Sequence, residues 1–226
     1  LFFVEVTGTA QGFQVPPPGW KPEGWNPPVA AAGSRRVDYS PGEMLRTWQF
    51  YAVWLLYFLG SAVGLTAIGE SAPLVRELAA ASAVLSGGAA LGVMSLFNGV
   101  GRLVWGSLSD KFGRKQTVFG MCGVALVACA VVLPQTADFW RVLAGLCMVG
   151  FCYGGYLALM PSIAADYYGP KNIGANYGIL FSAWGAAGFI VPGHFAAIIE
   201  AAKQAGNVAA GYNTTFYQLA GLTVAG

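Results

Sequence analysis

The chain has 226 residues, of which 56% are hydrophobic and 10% charged, with a net charge of +2 and a mean hydropathy of +0.57. Soluble domains carry about 25% charged residues, so these side chains cannot dress a water-facing surface, and lipid is the expected solvent. The small net charge and the lack of any basic stripe exclude nucleic acid as a partner.

The first residues, Leu-Phe-Phe-Val, carry no basic n-region and no cleavage site, and residues 1–15 read as the end of a transmembrane helix. Pro16 to Pro28 hold six prolines, which rules out a regular element and predicts an extended linker. Trp20 and Trp25 in it are interfacial anchors by type. With Arg35 and Arg36 this loop covers residues 16–46, and its last part predicts a short surface helix from Ser40 with Pro41 at the first position. A transmembrane bundle is expected over 47–226. Its apolar runs cover about Trp48–Ile68, Ala83–Leu108, Thr117–Leu133 (stopped by Pro134), Phe139–Ile163 and Ile173–Ile198. Each approaches or exceeds the roughly 20 residues that cross a hydrocarbon core. Glu70, Pro73, Arg76 and Glu77 predict a loop after the first run, and a sixth run begins near Thr215 and stops at Gly226. The 32 glycines fit helices that pack through small residues.

Little of this composition points to reaction chemistry. Cys122, Cys129, Cys147 and Cys152 all lie in apolar runs without a Cys-x-x-Cys pair, so buried thiols are expected and no metal site. His194, the single histidine, follows Pro192 and offers either proton coupling or interfacial packing. No nucleophile–base set or phosphate loop appears. The expectation is a non-enzyme without cofactors.

Residues Gly106 to Val118 read Gly-Ser-Leu-Ser-Asp-Lys-Phe-Gly-Arg-Lys-Gln-Thr-Val between two apolar runs. This is a tight basic turn. Gly106 and Gly113 are expected to let the helices approach and the chain bend. Asp110 is expected to accept from backbone N–H groups of the next helix or to pair with a nearby Arg. Lys111, Arg114 and Lys115 place the turn on the cytoplasmic side. On that assignment Lys21, Arg35, Arg36, Arg46, Lys111, Arg114, Lys115 and Lys171 are cytoplasmic, against Arg76, Arg141 and Lys203 on the other side. That bias supports a multi-pass protein of a plasma or bacterial inner membrane with its central loop in the cytoplasm. The order Gly-x-Leu-x-Asp-x-x-Gly-Arg-Lys resembles the loop signature of the major facilitator superfamily of transporters.

Arg102 is the cation that no loop accounts for. It precedes Asp110 by eight residues, about 12 Å up the helix, too far for its side chain to reach the surface fully. Facing lipid it would cost on the order of 3 kcal/mol or more. Two arrangements avoid that cost: a permanent ion pair or carbonyl contact, to which Glu5 could contribute, or a polar cavity in which it binds an anion. Its planar fork suits a carboxylate. Asn98 lies four residues earlier on the same face and could orient it. Gly99 and Gly101 either clear space or pack helices. Trp184 lies about 18 Å from Asn172 along the fifth run, close in depth to Arg102. Its indole N–H needs a partner, in a cavity or in the core. Tyr153 and Tyr156 flank Gly154-Gly155 and either add hydroxyls to the cavity or pack.

Three segments resemble the oxalate/formate antiporter family of that superfamily: Tyr39–Tyr51, Asn98–Gly106 and Pro161–Gly178. The resemblance implies an all-α membrane protein, the C-terminal six-helix half of a twelve-helix fold, with its first and last pieces truncated. The partners implied are the bilayer, a small carboxylate substrate and the missing N-terminal half. In the family's oxalate carrier a helix-eight Arg and a helix-eleven Lys flank a dicarboxylate. Arg102 matches the first, and Trp184 stands where the second is expected, which favours a monocarboxylate or a substrate completed by the other half. The rival functions are transport of a neutral solute or drug, and a non-transporting sensor or scaffold.

Overall fold

The computed structural model describes residues 38–79, 84, 86–134 and 138–225. The expected helix end at 1–15 and the linker as far as residue 37, with Glu5, Trp20, Trp25, Lys21, Arg35 and Arg36, lie outside the described residues. The rest is helical throughout, and no strand occurs among the described residues. The elements are α1 (Pro41–Met44), α2 (Trp48–Glu77), α3 (Gly87–Phe112), α4 (Arg114–Val127), α5 (Phe139–Tyr168), α6 (Ile173–Gln204) and α7 (Val208–Ala225). The end of α4 widens into a π-helical stretch, Ala128–Val132. Four helices are long and apolar enough to cross a membrane: α2, α4 with its π-helical end, α5 and α6. In α3, which has 26 residues, Asn98 and Arg102 dilute the apolar run.

The starts of the helices follow their caps. Ser40 and Glu43 form a reciprocal capping box at α1. Thr47, Ser86 and Asp138 accept from the first free N–H groups of α2, α3 and α5. Glycine makes the sharp reversals: Gly113 (φ 92°) alone separates α3 from α4, and Gly169 (φ 79°) ends α5.

Several boundaries differ from the sequence expectation. The loop expected over Glu70–Glu77 is helix, because α2 runs through Pro73. A proline costs only its own N–H bond where neighbouring helices support the turn. Here Glu77 accepts from Lys203 Nζ (2.6 Å) and from the Tyr212 hydroxyl (3.3 Å), which fastens the last turn of α2 to α6 and α7. The sixth run begins at Val208, not near Thr215, once Gly206 (φ 77°) turns the chain and Asn207 Oδ1 accepts from Ala210 N–H at 3.1 Å. Helix α3 starts about a turn later than its expected run, at Gly87, and ends a turn beyond it, while α4 starts a few residues earlier than expected and α5 and α6 end a turn or so further on.

Helix α3 packs most extensively on α5, and glycine sets the closeness. A Cβ at Gly101 would strike the Phe151 carbonyl, and one at Gly154 the Asn98 carbonyl; one at Gly150 would lie 2.8 Å from the Met94 carbonyl. Two apolar clusters fill the bundle. Leu74, Met94, Phe139, Leu146 and Phe195 belong to one, and Tyr57, Trp105, Met121, Met160 and Tyr168 to the other. In lipid such clusters stabilise by close packing, since moving apolar surface out of oil gains little.

Candidate functional site

Two arrangements of polar side chains stand out. The first is an open pocket of about 290 Å³ between α3, α5 and α6, lined among others by Asn98, Arg102, Tyr153, Phe181 and Trp184. Helical spacing puts Ser95, Asn98, Gly99 and Arg102 along one stripe of α3, beside the buried Met94–Gly101–Trp105 stripe that meets α5. The stripe therefore borders the α3–α5 seam. Arg102 is exposed, and among the described residues it joins none of the ion pairs. Trp184 Nε1 donates to the Tyr153 hydroxyl at 2.6 Å, and Phe181 stacks on Trp184 with ring centroids 5.1 Å apart. Ser95 Oγ donates to the Leu91 carbonyl within its own helix (2.9 Å).

Asn98, Arg102, Tyr153 and Trp184 are thus brought together. Tyr156 is not: its ring lies against Gly60 of α2, and its hydroxyl meets Cys122 Sγ at 3.2 Å, away from the Arg102 pocket. Gly101 is a helix–helix contact, whereas a Cβ at Gly99 would meet nothing within 4 Å. His194 is exposed, with its ring edge-on to Phe195. Cysteines Cys122, Cys129, Cys147 and Cys152 are free thiols, and no group of metal-ligating side chains occurs among the described residues.

The second arrangement is a three-helix junction at the α3–α4 turn. Arg114 Nη1 donates to Asp110 Oδ1 (2.8 Å) and to Ser109 Oγ (2.7 Å), and Arg114 Nε donates to Asp166 Oδ2 (2.9 Å). One guanidinium so ties the end of α3, the start of α4 and the last turns of α5. Of the two roles expected for Asp110 the structure shows the pairing with Arg, and α4 has no side-chain cap. Gly113 makes the bend, but Gly106 meets no neighbour: a Cβ there would have nothing within 4 Å, so it does not serve close approach. Lys115 sits over the Phe119 ring at 5.9 Å and Lys111 over Phe112 at 5.4 Å.

Sequence reasoning missed three features here. Asp166 sits in the Pro161–Gly178 segment, and the signal that could have found it is an acid at a helix end opposite a turn with three cations. Trp54 Nε1 donates to Ser182 Oγ (3.0 Å), and the Tyr57 and Tyr177 hydroxyls meet at 3.4 Å, which joins α2 to α6. Tyr39 is fastened to the α5–α6 turn. Its N–H donates to the Tyr168 carbonyl (2.9 Å), and its carbonyl accepts from Asn172 Nδ2 (2.9 Å) and Asn176 Nδ2 (3.0 Å).

Comparison with known proteins adds to this geometry. The sequence model described as the Major Facilitator Superfamily matches residues 13–192. An oxalate:formate antiporter of Oxalobacter formigenes is 37% identical over 163 residues, covering 71% of this chain and 38% of that protein. An uncharacterized MFS-type transporter of Escherichia coli (strain K12), YhjX, is 30% identical over 148 residues, covering 66% of this chain and 37% of that protein. Apicoplast pyruvate carrier 1 of Toxoplasma gondii is 33% identical over 155 residues, covering 65% of this chain and 27% of that protein. The chain therefore spans well under half the length of these relatives.

Proposed function

This chain belongs to the Major Facilitator Superfamily, and on that premise we propose that it forms the C-terminal half of a secondary transporter of a small organic anion, a monocarboxylate or an oxalate/formate-like acid. The chain is an integral membrane protein, and the anion reading rests on one observation. Arg102, at mid-helix in α3, lines a pocket with Tyr153 and Trp184 and has no carboxylate partner among the described residues. An unpaired guanidinium at membrane depth is costly, and an incoming carboxylate offsets that cost through two parallel charge-assisted hydrogen bonds. The names of two relatives, an oxalate:formate antiporter and a pyruvate carrier, describe carriers of such acids.

The mechanism that fits is alternating access, with the site at the interface of two halves that rock about it. The open side of the pocket is where the opposing half of a relative-length carrier would close it. The Arg114 junction holds α3, α4 and α5 in one arrangement on the cytoplasmic side and releases it in the other. A neutral solute or drug is the rival substrate, and competition by small carboxylates separates the two.

The deciding experiment is uptake of labelled carboxylates into proteoliposomes holding the complete carrier. Arg102→Ala should lower uptake more than about 100-fold while the protein still inserts and elutes as a single species. Unchanged uptake defeats the anion-binding role of Arg102.

A further inference from the structure

Resting on the reading of this pocket as a carboxylate site, we propose that Tyr153 is a specificity-determining residue, its hydroxyl oriented by Trp184 to donate to the anion beside Arg102, and that the substrate class is a monocarboxylate with a short uncharged tail. An indole N–H only donates, so in the 2.6 Å contact the Tyr153 oxygen is the acceptor. The phenol proton then points elsewhere, and among the described residues that hydroxyl makes no further hydrogen bond. Tyr153 is 5% exposed. A buried donor without a partner is costly, and a ligand that supplies the acceptor removes the cost.

The donor cannot swing away. A Cβ at Gly64 of α2 would strike the Tyr153 ring, so the ring is seated against bare backbone on that side while Trp184 holds its oxygen on the other. Its position relative to the backbone that carries the cation is equally fixed. The next residue, Gly154, lies so close to α3 that a Cβ there would come within 3.2 Å of the Arg102 backbone nitrogen. Arg102 and Tyr153 therefore present the guanidinium fork and one hydroxyl from adjoining points of a single seam.

The rest of the wall sets the tail. Among the residues that line the pocket, Arg102 is the charged one. The Ser95 hydroxyl is spent on its own helix. The stacked Phe181–Trp184 pair, Met94 and Leu157 offer apolar surface. Against this half of the wall a second carboxylate would lose its water and meet, among the described lining residues, the Asn98 amide but no second cation, which is more costly than placing a methyl group.

Propionate and malonate share three carbons and differ by a methyl against a second carboxylate, so they test this directly. In proteoliposomes with the complete carrier, propionate should be taken up and malonate should compete at least tenfold less well. Tyr153→Phe should raise the KM for propionate about tenfold with kcat within twofold, because the ring remains and only the donor is lost. Trp184→Phe should act in the same direction, and the double variant should be no worse than the more severe single one, since both remove one shared hydrogen bond. A merely structural role would instead lower kcat and yield of folded protein, with additive effects. If Tyr153→Phe fails to assemble, Trp184→Phe carries the same KM test. Malonate competing as well as propionate, or an unchanged KM in these variants, overturns the proposal. Arg102→Ala tells the two layers apart. Uptake lost in that variant but unaffected in Tyr153→Phe sinks the role of Tyr153 alone, whereas uptake retained without Arg102 sinks the carboxylate site itself. A carrier that moves neither propionate nor malonate overturns the short-tailed class, and one that moves no labelled carboxylate at all overturns both.

Discussion

Arg114 makes two ion pairs, one to Asp110 and one to Asp166, whose carboxylates are 74% and 55% exposed. Exposed pairs of this kind contribute about 0–1 kcal/mol each, so their value lies in which helices they join. Asp166→Asn should slow transport several-fold at saturating substrate, leave KM within about twofold and shift thermal unfolding by no more than about 1 kcal/mol. Stopped-flow turnover and melting curves on one preparation would decide, and a rise in KM alone would argue against a switching role. At the same end of the bundle, Glu43 accepts from the backbone N–H and the hydroxyl of Ser40. The N–H contact, then the hydroxyl, holds its carboxyl below the ordinary carboxylate value. A lowered value in the folded state means that the capping contribution is present above the unfolded-state pKa and fades as pH falls through the folded one. Amide exchange at Ser40 should therefore quicken in acid beyond its intrinsic pH dependence, and Glu43→Gln should flatten that response. Arg102 was legible because a cation inside an apolar run has few cheap positions. Asp166 was not, because its partner lies 52 residues away and only the packing of α5 beside the α3–α4 turn brings the two together.

Among the helices, the α3–α5 seam is the most demanding contact. Gly101 and Gly154 admit backbone against carbonyl, so Gly101→Ala or Gly154→Ala should cost about 1–3 kcal/mol through overpacking and lower the yield of folded carrier. Gly99→Ala is the control, with open space around it. Its effect should fall within about 0.5 kcal/mol, and thermal unfolding in detergent would show the contrast. Sequence alone does not separate these glycines, because Gly99 and Gly101 differ only in which side of α3 they occupy, and that depends on where α5 lies. The apolar runs themselves were readable from length and hydropathy. The end of α2 was misread because Glu70, Pro73, Arg76 and Glu77 are loop residues by type. What keeps that turn helical is a distant Lys203 and Tyr212, which local composition does not reveal.

At the scale of the molecule, polar side chains cluster at opposite ends. The Asp38–Thr47 segment, the α3–α4 turn and the α5–α6 turn share one end, while Glu77, Lys203 and Tyr212 share the other. The proposed orientation makes the first end cytoplasmic. A cysteine in place of Lys171 should react with an impermeant maleimide only from the cytoplasmic side, and one in place of Lys203 only from the opposite side. Reversed labelling would overturn the orientation while leaving the pocket untouched. One fastening at the first end has a mechanical consequence. The carbonyl of Tyr39 is gripped by two amide side chains, one at the foot of α6 and one in its first turn. Tension along the polypeptide leading into α1 is therefore delivered to the end of α5, the α5–α6 turn and the foot of α6 before it can reach α2. The same helix carries Trp184 farther up, so on the proposed function that short tether would pull on the wall of the carboxylate pocket.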